Sequence, residues 1–404
     1  RPTHDRRDEH PTGEFLMAGR VMFYVQHLLG IGHVKRGAVV ARAMVDAGLE
    51  VTVVLGGRPV AIADYGAASL LHLPSAIAKD ETFRVLLDEN DIPIDDAWKA
   101  ERKKRLFAAY DKIKPDVLLF ELFPFGRRQF RFELVPLLEA IHAQAERPRI
   151  VSSVRDVLVQ KFKEKSNQEM IAMATDYFDT ILVHGDPSLI PFEATFPLIE
   201  SIRDRVRYTG YVADSGTGIQ PTGDGKGEVI VSIGGGAMGE DLLRTALAAR
   251  PLSRLSDKTW RLLVGPNLSD AILDSLVKAA PIGVIVERAR PDFPILLRNC
   301  LLSISQGGYN TLMDILQARA RAVIVPFSAA EESEQTFRTR HLVDRGLVHM
   351  VETPDLNPER LAQAVNNAAA SEAGVAEGID FSGAETTAGI ISALAGVEAR
   401  GVTK

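Results

Sequence analysis

The stretch "LLSISQGGYNTLMDIL", residues 301–316, passes from an apolar run through two adjacent glycines into a helical pattern. Gly307 and Gly308 allow the backbone to come close to a ligand where a buried strand turns into a helix. The sequence "TLMD" that follows has the spacing of a capping box, with Thr311 as the N-cap residue and Asp314 bonding back to it. The stretch therefore predicts a strand, a tight turn and an amphipathic helix, which is the repeating unit of a parallel α/β sheet.

The same unit recurs along the whole chain, because short β-rich runs alternate with longer helical patterns. The predicted strands are "VMFYVQ" (21–26), "VTVVLG" (51–56), "SLLHLP" (69–74), "DVLLFE" (116–121), "RIVSSV" (149–154) and "TILVHG" (180–185) in the first half, and "VIVSIG" (229–234), "RLLVG" (261–265), "GVIVE" (283–287), "LLSIS" (301–305) and "AVIVPF" (322–327) in the second. The alternation predicts parallel sheets covered by helices on both faces.

A break between the halves divides the chain into two domains. Residues 210–228 are rich in Gly, Pro, Asp and Ser and almost free of apolar residues, so they are predicted to form a linker. Residues 1–18 are charged and are predicted to form a flexible tail. We therefore expect an α/β fold with two Rossmann-like, doubly wound domains, residues 19–209 and 229–404, that face a central cleft.

Bulk composition narrows the class of protein. The 404 residues are 46% hydrophobic and 25% charged, and the formal net charge of −6 gives no reason to expect nucleic acid as a partner. The single cysteine, Cys300, excludes an intrachain disulfide and favours a reducing compartment. There is no apolar run of the roughly 18 residues that a membrane span needs, and the first residues do not resemble a secretory signal. A cytoplasmic protein is expected.

The first glycine loop, "HLLGIGHVKRG", follows the strand that ends near residue 26. Gly30 and Gly32 allow close backbone approach, and a helix beginning near His33 would direct its amides to the same place. The loop is not a dinucleotide fingerprint, because Lys35 occupies the third glycine position. An imidazole at a helix N-terminus can act as a neutral base. His33 is thus either a general base or a residue that only packs locally.

Two further loops leave alternatives open. Gly234, Gly235 and Gly236 could hold phosphate oxygens through their amides, or could serve a tight strand-to-helix turn. Asp314 could be a helix cap, or could accept hydrogen bonds from two ribose hydroxyls. Glu334 and Gln335 begin a later helix and could be solvated surface or could bind sugar hydroxyls.

These motifs together resemble glycosyltransferase family 28. "SQGGYNTLMDIL", "AVIVPF" and "EQTFRTRHLVDRGLV" are similar to its C-terminal donor-binding domain, and "GIGHVKRG" is similar to its N-terminal glycine loop. The phrase "FPFGRR" resembles a bacterial branch of predicted glycosyltransferases, related to the peptidoglycan N-acetylglucosaminyltransferase. The resemblance covers roughly residues 20–395 and implies the GT-B fold, with the active site between the two domains.

The resemblance also assigns roles by position. It implies a nucleotide-sugar donor, usually a UDP-sugar, in the C-terminal domain and an acceptor in the N-terminal domain. The donor-binding residues it indicates are Gly234, Gly235, Gly236, Arg288, Gln306, Gly307, Gly308, Thr311, Asp314, Glu334 and Gln335. On the acceptor side it indicates Gly30, Gly32, Glu121 and Arg155, with His33 near the leaving group. Ile31-Gly32 stands where the peptidoglycan branch has two glycines, so the acceptor is not transferable.

The expected chemistry is an inverting, metal-independent sugar transfer without a cofactor. Helix N-termini and glycine amides can stabilise a departing diphosphate, and the chain has no Asp-x-Asp pair to hold a metal against it. His33 is the first candidate base, and Glu121 and Asp156 are weaker ones.

The acceptor and the function class stay open. The acceptor could be a glycan, a lipid-linked molecule or a small molecule. The segment after "LLFE" could meet an anionic acceptor or a membrane periphery, or could be half-buried surface with solvated arginines. The alternative functions are a nucleotide-sugar 2-epimerase of the same architecture and a non-catalytic sugar-nucleotide binder.

Overall fold

A computed structural model describes residues 18–61, 63–80, 83–158, 164–214, 222–234, 239–327, 334–371 and 378–397. The strands are β1 (Arg20–Val25), β2 (Glu50–Leu55), β3 (Ser69–His72), β4 (Ile77–Ala78), β5 (Leu86–Leu87), β6 (Val117–Glu121), β7 (Arg149–Arg155), β8 (Thr180–His184), β9 (Val206–Tyr208), β10 (Val229–Ser232), β11 (Trp260–Val264), β12 (Val284–Arg288), β13 (Leu302–Gln306), β14 (Ala322–Val325) and β15 (His349–Met350). The helices are α1 (Gly32–Asp46), α2 (Asp96–Ile113), α3 (Arg131–His142), α4 (Glu164–Tyr177), α5 (Glu240–Ala249), α6 (Asp270–Ala279), α7 (Phe293–Asn299), α8 (Tyr309–Ala318), α9 (Glu334–Asp344), α10 (Pro358–Ala370) and α11 (Gly383–Leu394).

Two parallel sheets form the two halves of the molecule. The N-terminal sheet has the order β3-β2-β1-β6-β7-β8-β9, and the C-terminal sheet has the order β12-β11-β10-β13-β14-β15. Every strand pairing within these two sheets is parallel. The central strands are buried along their length, as expected for a sheet covered on both faces. The predicted α/β class with two doubly wound domains is confirmed.

All eleven predicted strands are present, with ends displaced by at most a few residues. The sequence prediction omitted β9 and β15 at the sheet edges and the small antiparallel hairpin of β4 and β5. These strands have two or three residues each. Their hydrophobic pattern is too short to be distinguished from a loop.

The predicted capping box at the start of α8 is wrong. The helix begins at Tyr309, so Thr311 lies inside its first turn, and the N-cap residue is Gly308, which offers no side-chain cap. Asp314 is consequently too far along the helix to cap it. The prediction failed because "TLMD" matches the four-residue pattern of a capping box, and this pattern does not indicate where the preceding strand ends.

The last described helix returns to the first domain. α11 packs against α1, and Ala384, Ala388 and Ile391 share one buried cluster with residues of β1 and β2. The chain therefore crosses back after its second sheet and ties the two halves together. The domain boundaries set from the sequence remain predictions, but the packing of α11 places it with the N-terminal sheet.

None of the helices in the described ranges is both long and apolar enough to span a membrane.

Candidate active site between the domains

The candidate site lies where the strand order reverses in both sheets. In the N-terminal sheet, β1 lies between β2 and β6, and in the C-terminal sheet β10 lies between β11 and β13. Loops that leave such a reversal separate to opposite faces of the sheet and open a crevice. A cavity of about 310 Å³ occupies the space between the two crevices and is lined by residues of both domains.

The cavity brings together most of the residues predicted from the sequence. Its lining includes Gly30, Gly32, His33, Arg155, Gly234, Gln306, Gly308, Thr311, Asp314 and Gln335. The lining also includes Lys35, Arg36, Arg127, Phe83, Tyr309 and Asn310, which the sequence analysis did not select.

Among the helices that begin at the cavity without a side-chain cap are α1 and α8. The N-cap residues of α1 and α8 are Ile31 and Gly308, and neither provides a capping hydrogen bond. Other helices of the fold vary: α2, α6 and α10 are capped by the side chains of Asp95, Ser269 and Asn357, whereas α3, α5 and α11 have no side-chain cap. The first amides of α1 and α8 thus keep their hydrogen-bonding capacity for a ligand, and the helix dipole favours a negatively charged one.

The glycines of the C-terminal loops differ in what they provide. A Cβ on Gly307 would lie 3.1 Å from Thr339 Oγ1 and 3.3 Å from Ile324 Cγ2, so this glycine permits close packing behind the turn. Gly234 has φ +64°, a conformation that side chains rarely adopt. Gly235 and Gly236 lie outside the described residues.

His33 and Glu121 form a hydrogen-bonded pair at the floor of the cavity. His33 Nδ1 lies 2.8 Å from Glu121 Oε1, and the Glu121 side chain is 1% exposed. The guanidinium of Arg36, one turn further along α1, is ion-paired with the same carboxylate. Because a carboxylate only accepts hydrogen bonds, the 2.8 Å contact assigns the proton to Nδ1 of His33 and leaves the lone pair on Nε2. The guanidinium of Arg36 also lies 3.3 Å from Nδ1, a longer contact than that of the carboxylate. Glu121 is thus a partner of the base candidate rather than a separate base.

The surroundings of His33 keep its imidazole neutral. Burial lowers its pKa well below the usual 6.5, and the positive charges of Arg127, Arg155 and Arg36 lower it further. A neutral histidine beside a carboxylate can accept a proton from a hydroxyl and then be stabilised as a cation.

Asp314 lies on α8 and lines the same cavity. Burial raises the pKa of its carboxyl group to about 7, against an opposing effect from Lys35. A carboxylate that has lost its water in this way gains from hydroxyl groups that donate hydrogen bonds to it. The structure therefore places Asp314 at the cavity, and its assignment to ribose binding stays a prediction.

Other predicted residues have partners of their own. Glu334 is ion-paired across the domains with Arg155 at 2.7 Å. Arg288 donates to the carbonyl groups of Gly265 and Leu268 and pairs with Asp270, and it is not part of the described cavity lining. Its assignment to the donor site stays a prediction.

The weaker base candidate Asp156 has a structural partner. Its carboxylate receives three hydrogen bonds from Arg338 on α9, at 2.7–3.2 Å, and both side chains are fully buried. This pair joins the domains. A carboxylate held in this way is not available to an acceptor hydroxyl.

Two neighbouring residues of α8 also connect the domains. Tyr309 donates its hydroxyl hydrogen to the carbonyl of His184 at 3.0 Å, and its ring lies 5.3 Å from the guanidinium groups of both Arg36 and Arg338. Asn310 donates to the carbonyl of Gly32 at 3.0 Å. The start of α8 is therefore fixed against the start of α1, which holds the two halves of the cavity in register.

Comparison with known proteins agrees with this architecture. The model of the glycosyltransferase family 28 C-terminal domain matches residues 229–386. Among curated proteins, a UDP-N-acetylglucosamine--N-acetylmuramyl-(pentapeptide) pyrophosphoryl-undecaprenol N-acetylglucosamine transferase of Anaeromyxobacter dehalogenans (strain 2CP-C) is 32% identical over 76 residues, 19% of this chain and 20% of that protein. The transferase of the same name from Anaeromyxobacter sp. (strain K) is 32% identical over 74 residues, 18% of this chain and 19% of that protein. The alignments thus span about a fifth of those relatives.

Solved structures resemble the chain over nearly its whole length. The calicheamicin glycosyltransferase CalG4 has a TM-score of 0.63 at 16% identity, covering 96% of this chain and 100% of that one. The glycosyltransferase SnogD from Streptomyces nogalater has a TM-score of 0.59 at 17% identity, covering 94% and 100%. MurG of Acinetobacter baumannii has a TM-score of 0.53 at 13% identity, covering 92% and 95%. These findings confirm the predicted resemblance: residues 229–386 are similar to the family 28 C-terminal domain, and the chain has the GT-B fold over nearly its whole length.

Proposed function

We propose that the protein is a glycosyltransferase that moves a sugar from a nucleoside-diphosphate sugar to an acceptor hydroxyl. The observation that carries this proposal is the content of one cavity. It holds a neutral, carboxylate-oriented histidine from the N-terminal domain together with an uncapped helix start and a buried aspartate from the C-terminal domain.

The donor binds to the C-terminal wall of the cavity. The amides at the start of α8 receive the diphosphate, and Asp314 accepts hydrogen bonds from the ribose hydroxyls. The helix dipole and the amides compensate the phosphate charge without a metal ion or another cofactor. Gln306 and Gln335 line the same wall, and we propose that they contact the sugar.

The nucleotide is proposed to be UDP. The relatives from Anaeromyxobacter are named for UDP-N-acetylglucosamine, which favours uridine. The rhamnosyltransferase SpnG, a structural neighbour with a TM-score of 0.60, was solved with thymidine diphosphate. Thymidine diphosphate is therefore the alternative that a binding panel must include.

The reaction is a single displacement with inversion at the anomeric carbon. Nε2 of His33 takes the proton of the acceptor hydroxyl while its oxygen forms a bond to the anomeric carbon. The bond from that carbon to the diphosphate oxygen breaks, and the diphosphate leaves with the electron pair towards α8. Glu121 stabilises the imidazolium that results, as the carboxylate does in a catalytic triad.

The N-terminal wall favours an acceptor that has both an apolar and an anionic part. Leu28, Leu29 and Phe83 provide apolar surface there. Arg155 is paired with Glu334, but Arg127 donates Nε to the carbonyl of Gln26 at 2.6 Å and has no carboxylate ion pair within the described residues. A half-buried guanidinium that forms no ion pair with the described carboxylates favours a phosphate or carboxylate group on the acceptor. The acceptor named for the Anaeromyxobacter relatives contains a pyrophosphoryl group.

The proposal is tested in two steps. A thermal-shift panel of UDP, thymidine diphosphate and their sugar conjugates should show stabilisation by one nucleotide series, because a ligand that binds only the native state raises the melting temperature. The stabilising sugar nucleotide is then incubated with candidate acceptors, and its products are separated. Formation of a glycosylated acceptor and free nucleoside diphosphate supports transfer. Conversion to an epimerised sugar nucleotide would support the epimerase alternative, and binding without turnover would support a binder.

A further inference from the structure

A line of buried hydrogen bonds runs from the base candidate into the core of the N-terminal domain. Glu121 Oε2 lies 2.8 Å from Ser153 Oγ, and Ser153 Oγ lies 2.8 Å from Nε2 of His184. On the other side of the ring, His184 Nδ1 lies 2.9 Å from Thr209 Oγ1. Glu121, Ser153, His184 and Thr209 are all buried, so water does not compete for these bonds.

Sheet register places these groups next to one another. Glu121 ends β6 and is the direct neighbour of Ser153 on β7. His184 ends β8, the next strand in the sheet. Polar side chains at the buried ends of three adjacent strands are costly unless each finds a partner. Here each of these side chains has a partner, and the line of hydrogen bonds ends at the carboxylate of Glu121, which is bonded to His33.

The chemistry of the groups fixes the direction of the protons. Because the Glu121 carboxylate can only accept, the single hydroxyl proton of Ser153 points to it. The Nε2–H group of His184 then donates to Ser153 Oγ, which leaves Nδ1 as an acceptor facing the hydroxyl of Thr209. That hydroxyl also lies 2.9 Å from the carbonyl of Gly210, to which it can donate instead. This requires a neutral His184, and burial lowers its pKa to about 3, with a further contribution from Arg36. The tautomer with the proton on Nε2 therefore satisfies the line from Glu121 through Ser153 to His184.

We propose that Ser153 and His184 are positioning residues for sugar transfer, which orient the Glu121 carboxylate towards His33. This inference rests on the proposed function, since it assigns these residues to the base of that reaction. Ser153 occupies Oε2 and so leaves Oε1 for the imidazole and for Arg36. Without Ser153, the carboxylate could turn towards Arg36 and release the imidazole from its productive tautomer.

The same strand supplies a matched control. Ser152 precedes Ser153 on β7 and is equally buried, but its Oγ has no hydrogen-bond partner within the described residues. The variants Ser153→Ala and Ser152→Ala remove the same atom from the same strand. Only the first touches the line of hydrogen bonds. Ser153→Thr keeps the hydroxyl and serves as the rescue variant, while His184→Gln keeps an N–H donor near the position of Nε2 and His184→Leu removes it.

The first measurement is steady-state kinetics of the 404-residue chain with its sugar nucleotide and acceptor. We expect Ser153→Ala to lower kcat about 10-fold, the effect of losing one hydrogen bond to a charged group. His184→Leu, which removes the donor to Ser153, should lower kcat in the same direction. The KM for the donor should stay unchanged, because neither residue lines the donor wall. Ser152→Ala should match the wild type, and Ser153→Thr and His184→Gln should recover most of the loss. A wild-type kcat in Ser153→Ala, or an equal loss in Ser152→Ala, would overturn the proposal.

The second measurement does not depend on activity. Nitrogen-15 NMR of histidine-labelled protein reports whether Nδ1 or Nε2 of His33 carries the proton. We expect the Nδ1–H form in the wild type and in Ser152→Ala, and a mixture of both forms in Ser153→Ala. If the wild type transfers no sugar, the proposed function fails, yet this spectrum still decides whether Ser153 orients the pair. An unchanged His33 spectrum in Ser153→Ala would refute the positioning role even if transfer is found.

Discussion

The replacement Asp314→Asn tests the donor site through opposite effects on stability and on nucleotide binding. Asp314 lies on α8 at the cavity, and burial raises the pKa of its carboxyl group to about 7 from the ordinary value of 3.8. The charge is therefore unfavourable in the free folded protein at pH 8. Asparagine has nearly the same shape and carries no charge, so it removes this penalty.

The sign of the effect follows from proton linkage. A carboxyl group with a raised pKa in the folded state contributes stability that is fully present below the unfolded pKa and is lost as pH rises through the folded pKa. The loss for Asp314 extends from about pH 4 to about pH 7. The full difference corresponds to about 4 kcal/mol. Because the cavity is open to solvent, screening reduces the penalty to about 2 kcal/mol.

Thermal unfolding and calorimetry measure the two effects separately. We expect Asp314→Asn to raise the melting temperature at pH 8 by about 4–8 °C if the C-terminal domain unfolds as one unit of this size. The gain should shrink steadily below pH 7 and be small at pH 4. Titration with UDP at pH 8 should show an affinity about 10- to 100-fold weaker than in the wild type, because the ribose loses hydrogen bonds to a charged group.

Asp274 supplies the control. It lies exposed on α6 in the same domain, so Asp274→Asn should change neither the melting temperature nor the affinity. A lower melting temperature of Asp314→Asn at pH 8 would show that the carboxylate supports the fold. If Asp314→Asn binds UDP as tightly as the wild type does, and likewise thymidine diphosphate, Asp314 is not part of the donor site.

Three further changes test other parts of the site. His33→Gln should lower kcat about 10²- to 10⁴-fold, while calorimetry should show an unchanged affinity for the donor. The base acts in its neutral form, and burial holds its pKa well below 6.5, so wild-type kcat should stay constant as pH falls from about 8 to about 6.5. A titration of kcat within that range would contradict the assignment. Arg127→Gln should raise the KM for an anionic acceptor about 10-fold or more. Arg128→Gln is the control and should leave this KM unchanged, because Arg128 contacts a serine and a glutamate outside the cavity. Equal effects of the two variants would refute the acceptor proposal. Arg338→Met should destabilise the protein by about 3–5 kcal/mol, because it leaves the buried charge of Asp156 unpaired; an unchanged melting temperature would show that the pair contributes little.

The sequence predicted the sheets because their signal is local. Buried strands such as β1, β6 and β10 are apolar runs bounded by glycine or polar residues, and each is followed by a helical pattern. This hydrophobic pattern can be recognised in the sequence without knowing which strands pair. The edge strands β9 and β15 were missed because strands of two or three residues carry no period.

The local sequence pattern around His33 or around Glu121 did not predict their hydrogen bond, since 88 residues separate them. A signal nevertheless existed. In a doubly wound sheet the strand order reverses beside β1, so the residue that ends the neighbouring strand lies next to the loop that follows β1. Glu121 ends β6 and His33 lies in that loop's helix. The prediction treated Glu121 as a rival base because it considered each loop alone.

The tertiary partners of the arginines could not be predicted for a different reason. "HVKRG" and "FPFGRR" show where positive charge lies along the chain, but not which carboxylate each side chain reaches. Arg36 pairs with Glu121 at the site, whereas Arg127 has no carboxylate ion pair in the described ranges. Side-chain pairing depends on distances set by the packing of both sheets. Only coordinates supply these distances.

The two carboxylates of the cavity differ in their partners, and this difference separates their proposed roles. Glu121 is bound by the imidazole of His33, the guanidinium of Arg36 and the hydroxyl of Ser153, so its charge is already compensated in the free protein. It can hold a base and stabilise the cation that forms during transfer. At Asp314, burial outweighs the neighbouring charge of Lys35, and the carboxylate gains most when ligand hydroxyls reach it. Environments that hold two acidic groups of one cavity in different states are how enzymes divide binding from proton transfer.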